Sequence, residues 1–255
     1  MLVQFSVKNF RAFKKEAVLS MEASSDLDHI ENVAEINNAH NTDRILKNVS
    51  IFGANAAGKS NLFKALTAAI ITVRQSNSRQ PGDILTMIAP FRFDVESSEK
   101  PSEFEFVFIS EDTKYVYGFT ATSQKIITEY LYMYKTSRPT TIFERENESY
   151  RFTVPSIRRE LSPIIERNSE NKLFLSTAAA WNSKTILVPF KWFLKIDTYG
   201  PITAGSLMPN VEGLLSDENN KELRFFIQDL LRKADINIAD YRYTSKEVDM
   251  DEFIK

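Results

Sequence analysis

The sequence contains no cysteine, which excludes disulfide bridges, thiolate-bound zinc and a cysteine nucleophile, and agrees with a reducing compartment. Histidine is almost as scarce. His29 and His40 stand in a polar stretch with no further group of ligand residues beside them, so they read as solvated loop residues and not as a metal site. An excess of charge of one sign is lacking too: Lys plus Arg number 32 against 34 Asp plus Glu, a net charge of −2. The chain as a whole therefore has no electrostatic pull toward nucleic acid or an anionic membrane, and any polyanion contact has to come from a local patch. Long hydrophobic runs are also missing. The longest, Ala65 to Val73, is interrupted by threonine and is about half of the roughly twenty residues that span a bilayer. The opening residues Met1 to Lys8 alternate between apolar and polar instead of forming the basic region and apolar block of a signal peptide. A cytoplasmic protein that does not engage a membrane is expected.

What is present is an ordinary globular composition, 43% hydrophobic over 255 residues, enough for one large or two small domains with real cores. Val3, Phe5 and Val7 alternate with Gln4, Ser6 and Lys8, and Ala17, Leu19 and Met21 repeat the pattern after the link Asn9-Phe10-Arg11-Ala12-Phe13. This period of two predicts an opening antiparallel hairpin, with Val3, Phe5 and Val7 on one face. Glu22 to Arg44 is polar and reads as a surface excursion, after which Val49-Ser50-Ile51-Phe52 predicts a short buried strand. Leu62, Phe63, Leu66, Ala69, Ile70 and Val73 then recur at helical spacing, predicting a helix of about four turns. From Phe91 to Phe152 the period returns to two, with Phe104, Phe106 and Phe108 on one strand and Tyr115, Tyr117 and Phe119 on the next. Three further strands are expected at Ile126 to Tyr134, Thr141 to Arg145 and Tyr150 to Val154, separated by polar turns as in an antiparallel meander. Beyond Pro155 helical spacing resumes, most clearly at Leu223, Phe226, Ile227, Leu230 and Leu231.

Between the short strand and the first helix lies Gly53-Ala54-Asn55-Ala56-Ala57-Gly58-Lys59-Ser60, which matches the P-loop pattern G-x-x-x-x-G-K-[ST]. In such a loop the backbone N–H groups wrap phosphates and the following helix adds its positive end. Gly53 lets the chain leave the strand sharply, and Gly58 lets the backbone approach phosphate without a Cβ clash. Lys59 is expected to reach the β and γ phosphates and Ser60 to ligate Mg²⁺. A nucleoside triphosphate, ATP with Mg²⁺, is the expected ligand, held by Gly53, Ala54, Asn55, Ala56, Ala57, Gly58, Lys59, Ser60 and the adjoining Asn61.

The neighbourhood of this loop resembles the ABC-type ATPases of the SMC, RecF and OLD kind. The resemblance rests on the opening strand with Asn9-Phe10-Arg11-Ala12-Phe13 and on Gly58-Lys59-Ser60-Asn61-Leu62 running into Lys64-Ala65-Leu66. Asn61 after the serine separates this pattern from most kinases and GTPases. Within the group the chain is most similar to prokaryotic AAA-type ATP-binding proteins found in phage-defence operons. Pro90-Phe91-Arg92-Phe93, Tyr115-Val116-Tyr117-Gly118-Phe119 and the stretch Leu173 to Asn182 add to that similarity. The resemblance implies that Arg11 lies near the nucleotide. It also implies a homodimer or a partner ATPase or nuclease subunit, with DNA contacted through the assembly.

An ATPase of this group also needs a Walker B strand ending in Asp-Glu, a signature loop with Ser and Gly, a glutamine loop and a switch histidine. The closest approach to Walker B, Trp192-Phe193-Leu194-Lys195-Ile196-Asp197, carries a lysine and lacks the glutamate. Asp251-Glu252 has the pair but follows Val248-Asp249-Met250, which is no buried strand. No signature loop occurs, neither histidine follows a Walker B candidate, and Gln75 and Gln80 fit the glutamine loop poorly. The chain stops soon after Asp235 to Asp240, where relatives continue into a second lobe, so it reads as the N-terminal half of such an ATPase. Phosphoryl transfer to water needs a positioned base as well as a phosphate cradle, so binding is expected to outlast hydrolysis. A GTPase reading from Asp197-Thr198-Tyr199-Gly200 is weaker. That segment lies far from Ser60, and Asn220-Lys221 continues as Glu222-Leu223 instead of a base-reading motif. A small-molecule kinase is weaker still, because no arginine-rich lid is evident. A non-catalytic interaction module switched by nucleotide is the alternative from a different class.

The expected fold is α/β: a P-loop core with its N-terminal hairpin over residues 1–90, an antiparallel β subdomain over 91–154, and a mainly helical region over 155–255 that begins an arm or insertion. It corresponds to the N-terminal lobe of an ABC-type head, with few parallel strands and exposed apolar edges.

Overall fold

A computed structural model describes residues 1–37, 42–198 and 220–233. The chain divides into two units, Met1–Asp197 and Thr198–Lys255. The first holds a seven-stranded sheet of β1 (Leu2–Lys8), β2 (Ala17–Ser20), β5 (Ser102–Ser110), β6 (Thr113–Ala121), β7 (Ile126–Tyr134), β8 (Thr140–Glu146) and β9 (Ser149–Arg151), in the order β2-β1-β5-β6-β7-β8-β9. A separate two-stranded sheet pairs β3 (Val33–Asn37) with β4 (Thr42–Leu46). The helices of this unit are α1 (Lys59–Gln75), α2 (Val95–Glu99), α3 (Pro155–Leu161), α4 (Phe174–Ala180) and α5 (Lys184–Leu194). In the second unit the described residues form α6 (Lys221–Lys233), which follows the apolar spacing of Leu223, Phe226, Ile227, Leu230 and Leu231. The architecture is mixed α/β with an antiparallel sheet, as expected of a P-loop domain of this kind.

Every pair in the large sheet is antiparallel. β1 pairs with β5 with Phe5 opposite Phe106 and Val7 opposite Phe104, so the opening hairpin and the meander form one continuous sheet. The alternation seen in the sequence sends Phe104, Phe106, Phe108, Tyr117 and Phe119 to the inner face. There they meet Ala65, Ala69, Ile70 and Val73 of α1, Phe174 and Ala178 of α4, and Trp192 and Phe193 of α5. Phe108 stacks on Trp192 with ring centroids 4.2 Å apart, and Phe106 meets Phe193 edge-on at 5.1 Å. Fully burying aromatic side chains of this size is worth about 1.5–3 kcal/mol each, which makes this interface the main source of cohesion.

On the opposite face polar side chains form cross-strand contacts. Lys8 pairs with Glu103 at 2.8 Å, the Tyr130 hydroxyl donates to Glu105 at 2.5 Å, and the Tyr132 hydroxyl donates to Glu144 at 2.8 Å. Tyr130 reaches Glu105 across Gly118, where a Cβ would stand 2.3 Å from the phenol. Glycine in the middle of β6 is thus required by a close approach.

Three expectations change. Val3 does not share a face with Phe5 and Val7: a bulge between Leu2 and Gln4 turns it to the other side, where it packs with Ile45 and Ile109. The polar excursion from Glu22 to Arg44 contains β3 and the start of β4: Ala34 and Ile36 alternate with Glu35 in β3, and Ala34 pairs with Ile45 of β4. Val49 to Phe52 does not form a buried strand. It has no strand partner among the described residues, and Ile51 and Phe52 are 46% and 89% exposed. A strand exists only through its ladder, and no parallel pair is present among the described residues to receive this one.

The helices are fixed to the sheet by polar groups as well as by the core. Glu129 of β7 is fully buried and accepts from the N–H groups of Phe174 (2.6 Å) and Leu175 (2.9 Å), so a sheet carboxylate caps the N-terminus of α4. The Tyr117 hydroxyl donates to the same carboxylate at 3.0 Å, and the Arg145 guanidinium lies 3.6 Å away. Arg145 in turn donates to the carbonyls of Asn147 (2.7 Å), Lys172 (2.5 Å) and Ser169 (3.2 Å), holding the loop that leads into α4. Burial pushes the Glu129 carboxyl up from its ordinary value, against the pull of Arg145 and the two N–H groups. At the far end of α1, Ser176 of α4 donates to the Val73 carbonyl (2.6 Å) and Arg74 donates to the carbonyls of Phe193 (2.8 Å), Leu194 and Ile196 at the end of α5.

Candidate nucleotide-binding site

Residues 53–60 leave the unpaired segment and turn directly into α1, which begins at Lys59 with Gly58 as its N-cap. Gly58 stands at φ +95°, a conformation that L side chains rarely adopt, and Ala56 is also left-handed at φ +64°. The Ala54 carbonyl accepts from Ala57 N–H at 3.2 Å, and the Gly58 carbonyl accepts from the N–H groups of Asn61 (2.9 Å) and Leu62 (3.0 Å). Gly58 offers no side-chain cap and the first turn holds no acidic residue, so the positive end of a 17-residue helix is left for an anion. The Lys59 ammonium closes the loop by donating to the carbonyls of Gly53 and Ala54, both at 2.7 Å. Gly53 to Ala57 and Ser60 are exposed, while Gly58, Lys59 and Asn61 are half-buried. The sequence motif thus folds as a loop at the N-terminus of α1, with the lysine held above its own loop and Ser60 in the first turn.

The link between β1 and β2 buttresses the cradle. A Cβ on Gly58 would contact the Phe13 ring at 3.6 Å, so Phe13 packs on the loop where backbone and phosphate would meet. Phe10 and Phe13 exchange backbone hydrogen bonds at 2.9 and 2.8 Å. Between them Arg11 is left-handed at φ +49°, donates its N–H to the Ala89 carbonyl at 2.8 Å and carries its guanidinium 5.6 Å from the Phe10 ring. Asn9 ties this link down: its buried amide donates to the carbonyls of Ser97, Lys100 and Pro101 and accepts from Phe91 N–H. The roles of Phe13 and Asn9 were not visible in the sequence, because each depends on a partner more than 40 positions away. The hint available in the sequence was an Asn directly after the alternating run, a residue that tolerates the left-handed φ of +51° it adopts.

The other sequence-predicted elements fall elsewhere. The Walker B candidate Trp192 to Asp197 begins on α5, with Trp192 and Phe193 packed into the aromatic core, so it supplies no strand and no carboxylate beside the loop. Asp197 and Thr198 follow that helix, whereas Tyr199, Gly200, Asp251 and Glu252 lie outside the described residues, as does His40. His29 is exposed and bonded to Glu31 at 3.1 Å. No cluster of metal-ligand residues occurs among the described residues, and none of their helices is long and apolar enough to cross a membrane.

The chemistry of the cradle fits a nucleotide. Its donors are backbone N–H groups and one ammonium, Gly58 holds a left-handed φ of +95° that favours glycine, and Ser60 stands one residue past the lysine, with a hydroxyl of the type that ligates a divalent cation. No curated protein matches the sequence. Residues 49–183 match the family described as "AAA domain, putative AbiEii toxin, Type IV TA system", a span that starts four residues before the loop and covers more than half of the chain. The matched span takes in the loop, α1, the meander and α4, and the chain belongs to this AAA-domain family of P-loop ATPases.

Proposed function

We propose that the chain is the ATP-binding part of an ATPase of the SMC, RecF and OLD kind that acts in DNA transactions such as phage defence. The observation that carries the reading is the Lys59 ammonium spanning the Gly53 and Ala54 carbonyls over an open helix N-terminus. On binding, phosphate oxygens would replace those carbonyls as acceptors, and the backbone N–H groups of 53–60 would wrap them. Mg²⁺ at Ser60 would neutralise charge between the β and γ phosphates. Arg11, two residues from the Phe13 buttress, is assigned to the same nucleotide. The family's description names a toxin of a type IV toxin–antitoxin system, which is compatible with a defence role.

Hydrolysis on this reading needs a base and a signature loop supplied by other sequence or by a partner, either a second copy of the chain or an ATPase or nuclease subunit. DNA would be contacted through that assembly, in the cytoplasm. Isothermal titration tests the reading: Mg-ATP binds the wild-type protein, and Lys59→Ala removes the binding. Folded wild-type protein without affinity for any nucleotide would refute it. The second reading, a nucleotide-switched interaction module without turnover, is favoured by the placement of Trp192 to Asp197 on and after a helix. An ATPase assay decides between them, since turnover that disappears in Lys59→Ala rules the module out.

A further inference from the structure

The chain as a whole is slightly acidic, yet residues 151–196 carry eight Lys and Arg against three Glu and no Asp. Four of these cations are exposed: Arg158 and Arg159 of α3, Arg167 at the end of the short turn Ser162–Arg167, and Lys184 at the start of α5. None of the four has a carboxylate partner among the described residues. Hydrogen bonds gather them. Glu160 of α3 accepts from the Ser183 hydroxyl (2.6 Å), the Thr185 hydroxyl (2.7 Å) and Thr185 N–H (3.1 Å), so Arg159 and Lys184 are each next in sequence to residues in contact. Asn168 accepts from the Thr177 hydroxyl at 2.7 Å, which ties the residue after Arg167 to α4 one turn before Trp181. The Arg167 guanidinium lies 4.9 Å from the centre of the Trp181 ring, and Trp181, three residues before Lys184, is 54% exposed. The junction also consumes the Glu160 carboxylate. Of the other two, Glu166 is exposed beside Arg167, and Glu170 lies against β7, where its carbonyl accepts from Ile126 N–H.

We propose that this rim binds single-stranded nucleic acid, with Arg158, Arg159, Arg167 and Lys184 on backbone phosphates and an unstacked base on the Trp181 and Arg167 pair. The proposal goes beyond the nucleotide reading and does not depend on it, since none of these residues belongs to the loop at 53–60. Three observations converge on it. The cations have no counter-charge within the fold, so a polyanion that neutralises them releases its own counterions and gains affinity. An indole with half its surface in water, carrying a guanidinium plane, is a stacking platform that takes any base. The platform selects the strand: a duplex keeps its bases stacked inside and has none to offer, whereas a single strand has one at every step. An acidic peptide would satisfy the cations equally well but brings no planar base to the ring, which makes it the contrast for the test.

The test is fluorescence anisotropy on the full chain with fluorescein-labelled oligo-dT and oligo-rU of about 20 nucleotides, a duplex of the same length and poly-glutamate. Wild-type affinity for oligo-dT should fall with salt at a log–log slope of about −3, as four phosphate contacts predict. Trp181→Ala should weaken binding about fivefold to a hundredfold with that slope kept, the loss of one stacked base. Arg158→Gln/Arg159→Gln should instead flatten the slope by about 1.4. Both variants change exposed side chains, and circular dichroism melts that match the wild type show that they are folded. The tighter of oligo-dT and oligo-rU names the source as DNA or RNA. Duplex or poly-glutamate bound as tightly as the single strands, or oligo-dT affinity unmoved by Trp181→Ala, would overturn the proposal. Wild-type protein that binds Mg-ATP but no single strand would overturn it and leave the P-loop reading standing. Protein that binds the single strand as described but no nucleotide would overturn the P-loop reading alone.

Discussion

Glu129→Ala removes a carboxylate that four groups share, and the cost can be worked from its surroundings. The side chain is fully buried and accepts from Phe174 N–H at 2.6 Å, Leu175 N–H at 2.9 Å and the Tyr117 hydroxyl at 3.0 Å, with the Arg145 guanidinium at 3.6 Å. Alanine leaves two helix N–H groups and a hydroxyl without acceptors and a buried guanidinium without its counter-charge. Arg145 keeps its carbonyl partners at Asn147, Lys172 and Ser169, which limits the damage on that side. Breaking a buried pair from one side costs about 3–5 kcal/mol, a large share of the roughly 5–15 kcal/mol that holds a domain together. Tyr117→Phe is the comparison, because it deletes one donor to the same carboxylate and is expected to cost about 1 kcal/mol. Urea unfolding followed by tryptophan fluorescence reads both, since Trp192 lies in the core beneath this sheet. The midpoint of Glu129→Ala should fall far more than that of Tyr117→Phe, with the slope unchanged. Equal midpoints for wild type and Glu129→Ala would refute the claim that this carboxylate pins α4 to the sheet.

Two further outcomes follow from the same sheet. Burial raises the Glu129 carboxyl above its ordinary value, so its favourable contribution is complete below the unfolded carboxylate value of about 4.3 and is lost as pH rises through the raised one. Wild type should therefore lose stability relative to Glu129→Gln as pH increases across that window, and a relative gain in parallel urea titrations would contradict the assignment. Gly118→Ala should push Tyr130 off Glu105 and cost about 1–2 kcal/mol. Burial and Glu105 hold the Tyr130 phenol above its usual range, so the freed phenol should ionise at lower pH in an ultraviolet titration, and an unmoved titration would show that the tyrosine had not been displaced.

The family match and the phosphate loop bear on each other in a way that single motifs do not. The matched residues 49–183 run from the unpaired entry segment through the cradle, the meander and α4. They include both ends of the clamp that ties α1 to the sheet: Glu129 caps α4, and Ser176 of α4 bonds the Val73 carbonyl at the end of α1. The helix whose first turn carries Lys59 and Ser60 is thus held at its last turn by α4, which the sheet caps in turn.

The sequence by itself determined what depends on near neighbours. The loop Gly53 to Ser60 needs only its own glycines, its lysine and the helix that follows, all within about twenty positions, and the meander strands announce themselves through a period of two that a single strand suffices to show. α6 was legible for the same reason, from its apolar spacing alone. What the tertiary structure decided depends on partners far along the chain. The neighbour of β1 is β5, about a hundred residues away, and the bulge at Val3 is visible only through that register. Val49 to Phe52 has the composition of a buried strand and still lacks a ladder, because hydrogen bonds between strands are not a property of one segment. Trp192 to Asp197 looked like a strand end until α5 and the aromatic core claimed Trp192 and Phe193. Glu129 and Arg145, polar letters in a β pattern, became a buried clamp only when the sheet and α4 enclosed them and left each the other's partner.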